Sequence, residues 1–217
     1  MIRVVIADDH PIVREGLKQV LSSAADLAVA GEAQNGQEVM QRVRELDFDV
    51  LLLDMSMPGK SGIELIKQVR AEKSRVRILV LSMHQEEQYA VRAIKAGAAG
   101  YLTKDSASTQ LVSAIRKVAG GGAFITDAVA QQLALGAMPQ SDGPPHSVLS
   151  DREFQIFHLL VSGRTVSDIG EALNLSVKTV STHKARIMQK MNMSNPAELI
   201  RYAIRHRLVD DPDADVP

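Results

Sequence analysis

Short apolar runs alternate with longer amphipathic stretches over the first 120 residues of the chain. The apolar runs cover residues 3–7, 28–33, 50–54, 77–82 and 99–103. They have the length and the Val, Ile and Leu content of buried strands. Helical spacing of apolar positions covers 11–22, 36–46, 61–73, 87–96 and 106–120. Strand then helix, repeated, predicts an α/β domain with a doubly wound, five-stranded parallel sheet. Pro11 suits the first turn of its helix, and Gly97 suits the closing position of the fourth. The triple glycine at 120–122 ends this pattern. A short helix is predicted at 127–135, then a Gly-, Pro- and Ser-rich segment at 136–147 that reads as flexible. Beyond it the pattern is helical throughout, at 151–162, 167–173, 177–191 and 196–206. The predicted organisation is an α/β domain at 1–122 and a linker with a short helix at 123–147. An all-α domain follows at 148–210, and an acidic, disordered tail at 211–217.

Charge changes the picture more than composition does. The formal net charge is −1. Residues 1–147 carry 16 Lys/Arg against 17 Asp/Glu, whereas 148–210 carry 9 against 6. The all-α part is the basic part. The chain has no cysteine, which excludes disulfides and thiolate metal sites and suits a reducing cytoplasm. No basic-then-apolar leader opens the sequence and no apolar run reaches membrane length, so a cytoplasmic protein without a membrane partner is expected.

Three acids stand where two strands end: Asp8 and Asp9 after the first, Asp54 closing the third. Parallel α/β sheets bind ligands at the carboxyl edge. If these strands are neighbours, three carboxylates crowd one volume, and a hard divalent cation with oxygen ligands would relieve the repulsion. Ser82 closes the fourth strand and Lys104 follows the fifth, so both should reach the same edge. Three carboxylates, a hydroxyl and an ammonium suit phosphoryl transfer to a carboxylate. The metal and Lys104 would offset charge on phosphoryl oxygens, and Ser82 would donate a hydrogen bond. Singly, each residue has a plainer reading: Asp8 or Asp9 as a helix cap, Lys104 as a solvated charge, Tyr101 as a strand aromatic.

Residues 167–180 read as helix, turn, helix, with Ser176 placed to cap the second helix. At about 100° per residue, Val177, Val180, Ile187, Met188 and Met191 fall on one side. Lys178, Thr182, Ala185, Arg186 and Gln189 fall opposite. From Ser176 to Met191 there are four Lys/Arg and no acid. An apolar back and a basic polar front suit the major groove of double-stranded DNA, although an ordinary solvated face has the same pattern. Lys178, Ser181, Thr182 and Arg186 are the candidates for facing DNA. Thr179, His183 and Lys184 are candidates for backbone contacts.

Taken as sets, these residues resemble two known families. Asp8-Asp9, Asp54-Met-Ser-Met-Pro58-Gly-Lys-Ser-Gly62, Ser82 and Tyr101-Leu-Thr-Lys104 resemble the receiver domain of two-component response regulators, a flavodoxin-like fold. Val148-Leu-Ser-Asp-Arg-Glu153, Gly163, Ile169-Gly-Glu-Ala-Leu173, Ser176, Thr179-Val180, His183 and Lys190-Met191 resemble the LuxR-type helix-turn-helix. Together they are similar to the NarL/FixJ family of DNA-binding transcription regulators. The resemblance implies Asp54 as phosphoacceptor for a cognate histidine kinase. It implies Asp9, Asp54 and the Ser56 carbonyl as Mg2+ ligands, with Asp8 acting more remotely. It implies Ser82 and Tyr101 as a switch, Tyr101 turning inward on phosphorylation. It also implies a homodimer on DNA through the last helix, with Leu199, Ile200 and Ala203 as candidates; core packing of that stripe is the alternative. Two departures are visible: Asp105 where the family often has a cis proline, and Lys184 where it often has valine. Two rival functions are a phosphorylation-independent transcription factor, its receiver used for protein contacts, and a metal-dependent phosphatase.

Overall fold

The computed structural model describes residues 1–57, 62–82, 87–135, 144–206 and 208, the side chains of 87, 88, 108 and 135 excepted. The motif residues from Pro58 to Ser61, residues 136–143 of the predicted linker and the predicted acidic tail lie outside these. The chain forms two compact units, Met1–Ala137 and Met138–Pro217.

The first unit follows the alternation expected: β1(Ile2–Ala7), α1(Pro11–Ser22), β2(Leu27–Ala33), α2(Gly36–Glu45), β3(Val50–Asp54), α3(Gly62–Glu72), β4(Arg77–Ser82), α4(Glu87–Ala96), β5(Gly100–Thr103), α5(Lys104–Ala119) and α6(Asp127–Leu135). The strands form one parallel sheet in the order β2-β1-β3-β4-β5. β3 lies at the centre and all five of its residues are buried, which explains its unbroken apolar run. On one face Val4, Ile6, Leu52, Leu79 and Leu81 pack against Leu17, Leu21, Leu111 and Ile115 of α1 and α5. The order reverses between β1 and β3. A crevice opens at such a switch point, outside the strands' carboxyl ends.

α5 begins two residues earlier than the sequence pattern predicts. Thr103 is its cap, the hydroxyl accepting from the Ser106 N–H at 3.3 Å. Asp105 then stands in the first turn, where a carboxylate favours the positive end of the helix. No described peptide bond is cis, Lys104–Asp105 included. Residues 123–135, read from sequence as linker, are part of the first unit. Phe124 bridges to Gly100, its carbonyl accepts from the Tyr101 N–H at 2.9 Å, and α6 packs on α4. A Cβ at Gly100 would come within 2.9 Å of the Phe124 carbonyl oxygen, so glycine permits the bridge.

The second unit opens with a 3-10 turn, Pro145–Val148, followed by α7(Asp151–Val161), α8(Val166–Leu173), α9(Val177–Lys190) and α10(Pro196–Arg205). Ser150 with Glu153 forms a reciprocal cap on α7, and Thr165 with Asp168 does the same on α8. Asn174 ends α8 in the left-handed conformation, φ 52°. Gly170 lets the turn close, because a Cβ there would sit 2.8 Å from the Leu175 carbonyl oxygen. Phe154, Ile156, Phe157, Ile169, Val180, Ile187 and Leu199 are buried together within the unit.

One buried charge joins α7 to the end of α9. Glu153 accepts from Lys190 Nζ at 2.6 Å and from the Ser150 N–H at 2.8 Å. Burial alone would raise its carboxyl, but the Lys190 and Ser150 contacts outweigh it and hold the group below its ordinary value. A depressed folded value gives stability that is present above the ordinary glutamate range and lost as pH falls through the folded value. Glu153→Gln should therefore destabilise the second unit by about 1–3 kcal/mol at neutral pH and flatten its acid transition. Calorimetric melts between pH 3 and pH 7 check this; parallel wild-type and variant curves would refute it.

Candidate functional site

Parallel pairing of Ala7 with Leu53 puts the exits of β1 and β3 side by side. Asp8 and Asp54 leave the sheet there, Asp54 only 1% exposed and Asp8 fully buried. Asp9 is less buried and His10 lies beyond it. Ligand-capable atoms of Asp8, Asp9, His10 and Asp54 all lie within 4.8 Å of one another. Lys104, the first residue of α5, reaches across with Nζ 2.7 Å from Asp8 Oδ2 and 3.0 Å from Asp54 Oδ2. The Ser56 N–H donates to Asp54 Oδ1 at 3.1 Å. Ser82 follows the Asp54–Leu81 pairing by one residue and is buried. Tyr101, on the neighbouring strand, already has its ring buried.

The electrostatics follow from this crowding. Burial raises the Asp54 carboxyl above its ordinary value; Lys104 opposes the rise and the Asp8 charge adds to it. Burial works against the Lys104 ammonium, but Asp8 and Asp54 outweigh it and hold it above its ordinary value. Three carboxylates and one ammonium leave an excess of two negative charges. That excess, presented wholly by oxygens apart from His10, fits a hard divalent cation. Neither Asp8 nor Asp9 caps α1 through its side chain. The cap position is His10, without a side-chain cap bond, and Asp8 Oδ1 accepts from the His10 N–H at 2.8 Å.

In the second unit, Ser176 caps α9, its hydroxyl accepting from the Thr179 N–H at 3.1 Å. Lys178, Ser181, Thr182, Ala185, Arg186 and Gln189 are exposed. Val180, Ile187 and Met191 are buried and Met188 is half-buried. Val177 is 53% exposed, which corrects its assignment to the apolar back: as the first helical residue it lies beyond the core edge. Thr182 donates to the Lys178 carbonyl at 2.9 Å, leaving its oxygen free to accept. Thr179 is engaged with Ser176 at 2.7 Å. Burial lowers the His183 ring below its ordinary value; Glu153 opposes this, and Arg152 and Arg186 add to it. His183 therefore offers a hydrogen bond rather than a charge at neutral pH. Lys184 is half-buried. It lines a cleft of about 280 Å³ together with Arg164, Pro196, Leu199 and Ile200.

Residues 4–116 match the family described as response regulator receiver domain, and residues 147–203 match the bacterial regulatory proteins of the luxR family. The chain belongs to the response regulators. Its two matched regions make it a DNA-binding two-component regulator of the NarL/FixJ type, and regulators built this way are transcription factors. It is 40% identical over 209 residues to the response regulator UvrY of Escherichia coli K12, with 96% of each chain covered. Among solved structures it is similar to RcsB of Salmonella enterica serovar Typhimurium bound to the rprA promoter in the presence of the phosphomimetic BeF3− (29% identity, 93% of this chain and 98% of that one, TM-score 0.65). It is also similar to RcsB in a structure of two dimers bound to two parallel DNAs (30% identity, 94% and 98%, TM-score 0.57).

Two features of the regulator differ from the sequence reading or escaped it. Leu199 and Ala203, expected in a dimer contact, are buried in the unit's own core. The apolar edge that α10 leaves open is Ile200 at 39% and Ile204 at 40% exposure. Arg14 was missed altogether. It is 8% exposed and donates to the Asp8 carbonyl at 2.8 Å. The available signal was a cation on the same helical face as Leu17 and Leu21. No described helix is long and apolar enough to cross a membrane.

Proposed function

We propose that Asp54 accepts a phosphoryl group from a cognate histidine kinase and that this modification controls DNA binding and transcription. The observation that carries the reading is the convergence of Asp8, Asp9, Asp54 and Lys104 at the β1/β3 switch point. The Asp54 carboxylate oxygen attacks phosphorus, the bond from phosphorus to the kinase histidine breaks, and an acyl phosphate forms. Asp9, Asp54 and the Ser56 carbonyl would hold Mg2+, with Asp8 more remote; the ion supplies charge neutralisation for the phosphoryl oxygens. Lys104 pairs with a phosphoryl oxygen and Ser82 donates to another. Ser82 and Tyr101 then carry the change within a receiver spanning 1–122.

The output domain, 148–210, presents Lys178, Ser181, Thr182 and Arg186 to DNA. Thr179, His183 and Lys184 serve the backbone. Ile200 and Ile204 offer the contact for a homodimer, in keeping with the RcsB dimers on DNA. Paired half-sites then raise affinity through avidity. The test is DNA affinity and solution mass with and without BeF3− and Mg2+. A rise of about tenfold or more in affinity, with dimer formation, is expected. Identical affinity and mass in both conditions would favour a phosphorylation-independent regulator instead.

A further inference from the structure

We propose that Arg14, held by Glu32, is a positioning residue for Asp9, and so sets the affinity of the acidic pocket for its divalent cation. The inference rests on the metal reading above and adds residues to it. α1 starts at Pro11 without a side-chain cap at His10, so the usual device that fixes a strand-to-helix turn is missing. Arg14 does that work from inside the helix. Its guanidinium reaches back to the Asp8 carbonyl at 2.8 Å, while Nε pairs with Glu32 Oε2 at 3.1 Å. The Asp8 N–H is fixed from the other side, donating to the Ala33 carbonyl at 3.1 Å. Both main-chain groups of Asp8 are thus anchored, one to the end of β2 and one to a buried cation paired with β2.

Asp9 depends on this anchorage. Asp8 and Asp54 are braced by Lys104 and by backbone N–H groups. The contact described for Asp9 is His10 Nδ1 at 2.9 Å, and that ring is largely exposed. The direction of the Asp9 carboxylate is therefore inherited from the Asp8–Asp9 peptide, whose carbonyl Arg14 holds. A guanidinium spans carbonyl and carboxylate together; an ammonium is a point donor and spans them poorly. Groups that orient a metal ligand typically change affinity by about 10–100-fold when removed.

The test uses the full-length, unphosphorylated protein and Mn2+, an oxygen-preferring probe whose free ion is counted by electron paramagnetic resonance. Glu32→Gln and Arg14→Gln should each weaken Mn2+ binding by about tenfold, with Arg14→Lys between Arg14→Gln and wild type. Lys18→Gln removes the other cation on Glu32, 2.9 Å away, and should stay within about twofold, because Lys18 does not touch the Asp8 carbonyl. Glu32→Gln keeps the test open should Arg14→Gln fail to fold. Wild-type affinity in folded Glu32→Gln and Arg14→Lys would overturn the positioning role. Wild-type protein that binds no Mn2+, matching Asp54→Asn, would overturn the metal reading beneath it.

Discussion

Asp54→Asn is expected to abolish uptake of a phosphoryl group from acetyl phosphate or a kinase, read as the mass of the intact protein. The amide keeps the shape of the side chain but lacks the anionic oxygen that attacks phosphorus. The same substitution should leave the receiver as stable as wild type or more so. Burial and the Asp8 charge hold the Asp54 carboxyl above its ordinary value. A raised carboxyl costs stability as pH rises through the folded value, so the negative charge at this position works against the fold. Removing the charge ends that opposition, and Lys104 retains Asp8 as its partner at 2.7 Å. Wild type should melt higher with added Mg2+, and Asp54→Asn should respond little. Equal phosphoryl uptake by wild type and variant would sink the assignment.

The second large effect is expected on α9. Lys178→Glu and Arg186→Glu each replace an exposed cation by an anion on the outer face. Each should weaken DNA binding by at least about tenfold at moderate salt. Removing a phosphate contact also lowers the slope of log affinity against log salt by about one. A cation that reads a base instead shifts sequence preference and costs about 1–3 kcal/mol at one position. Fluorescence anisotropy at several salt concentrations, on specific and unrelated DNA, separates these cases. Unchanged affinity for both DNAs in either variant would remove that residue from the interface.

The acidic pocket was legible because strand and carboxylate are adjacent in sequence. An apolar run that ends in an acid places that acid at a strand exit, and parallel strands bring such exits to one edge. Lys104 was legible for the same reason, since β5 carries it to the edge that holds Asp54. Arg14 was not, because its meaning lies in partners on another strand. Only the pairing of β1 with β2 brings Glu32 and the Asp8 carbonyl within its reach. The short helix after the triple glycine was read at its right place in the chain, 127–135, but its attachment to the first unit was not legible, for a similar reason. Its attachment depends on the bridge from Phe124 to Gly100, which leaves no periodic trace. On α10, the spacing of Leu199, Ile200, Ala203 and Ile204 gives one stripe but not the half that the core claims. Packing decides that: Leu199 and Ala203 go inward and the isoleucines stay at the edge.

The helix offered to DNA is fastened at both extremities. The Ser176 hydroxyl and the left-handed Asn174 fix where it starts; Lys190 on Glu153 fixes where it stops. A rod clamped this way has little backbone freedom left to surrender when it enters a groove. The entropy lost on docking then falls on the long side chains that project from it, at about 0.5–1.5 kcal/mol for each one immobilised. Short hydroxyl side chains such as Ser181 and Thr182 give up far less, which makes them frugal readers along an otherwise rigid rail.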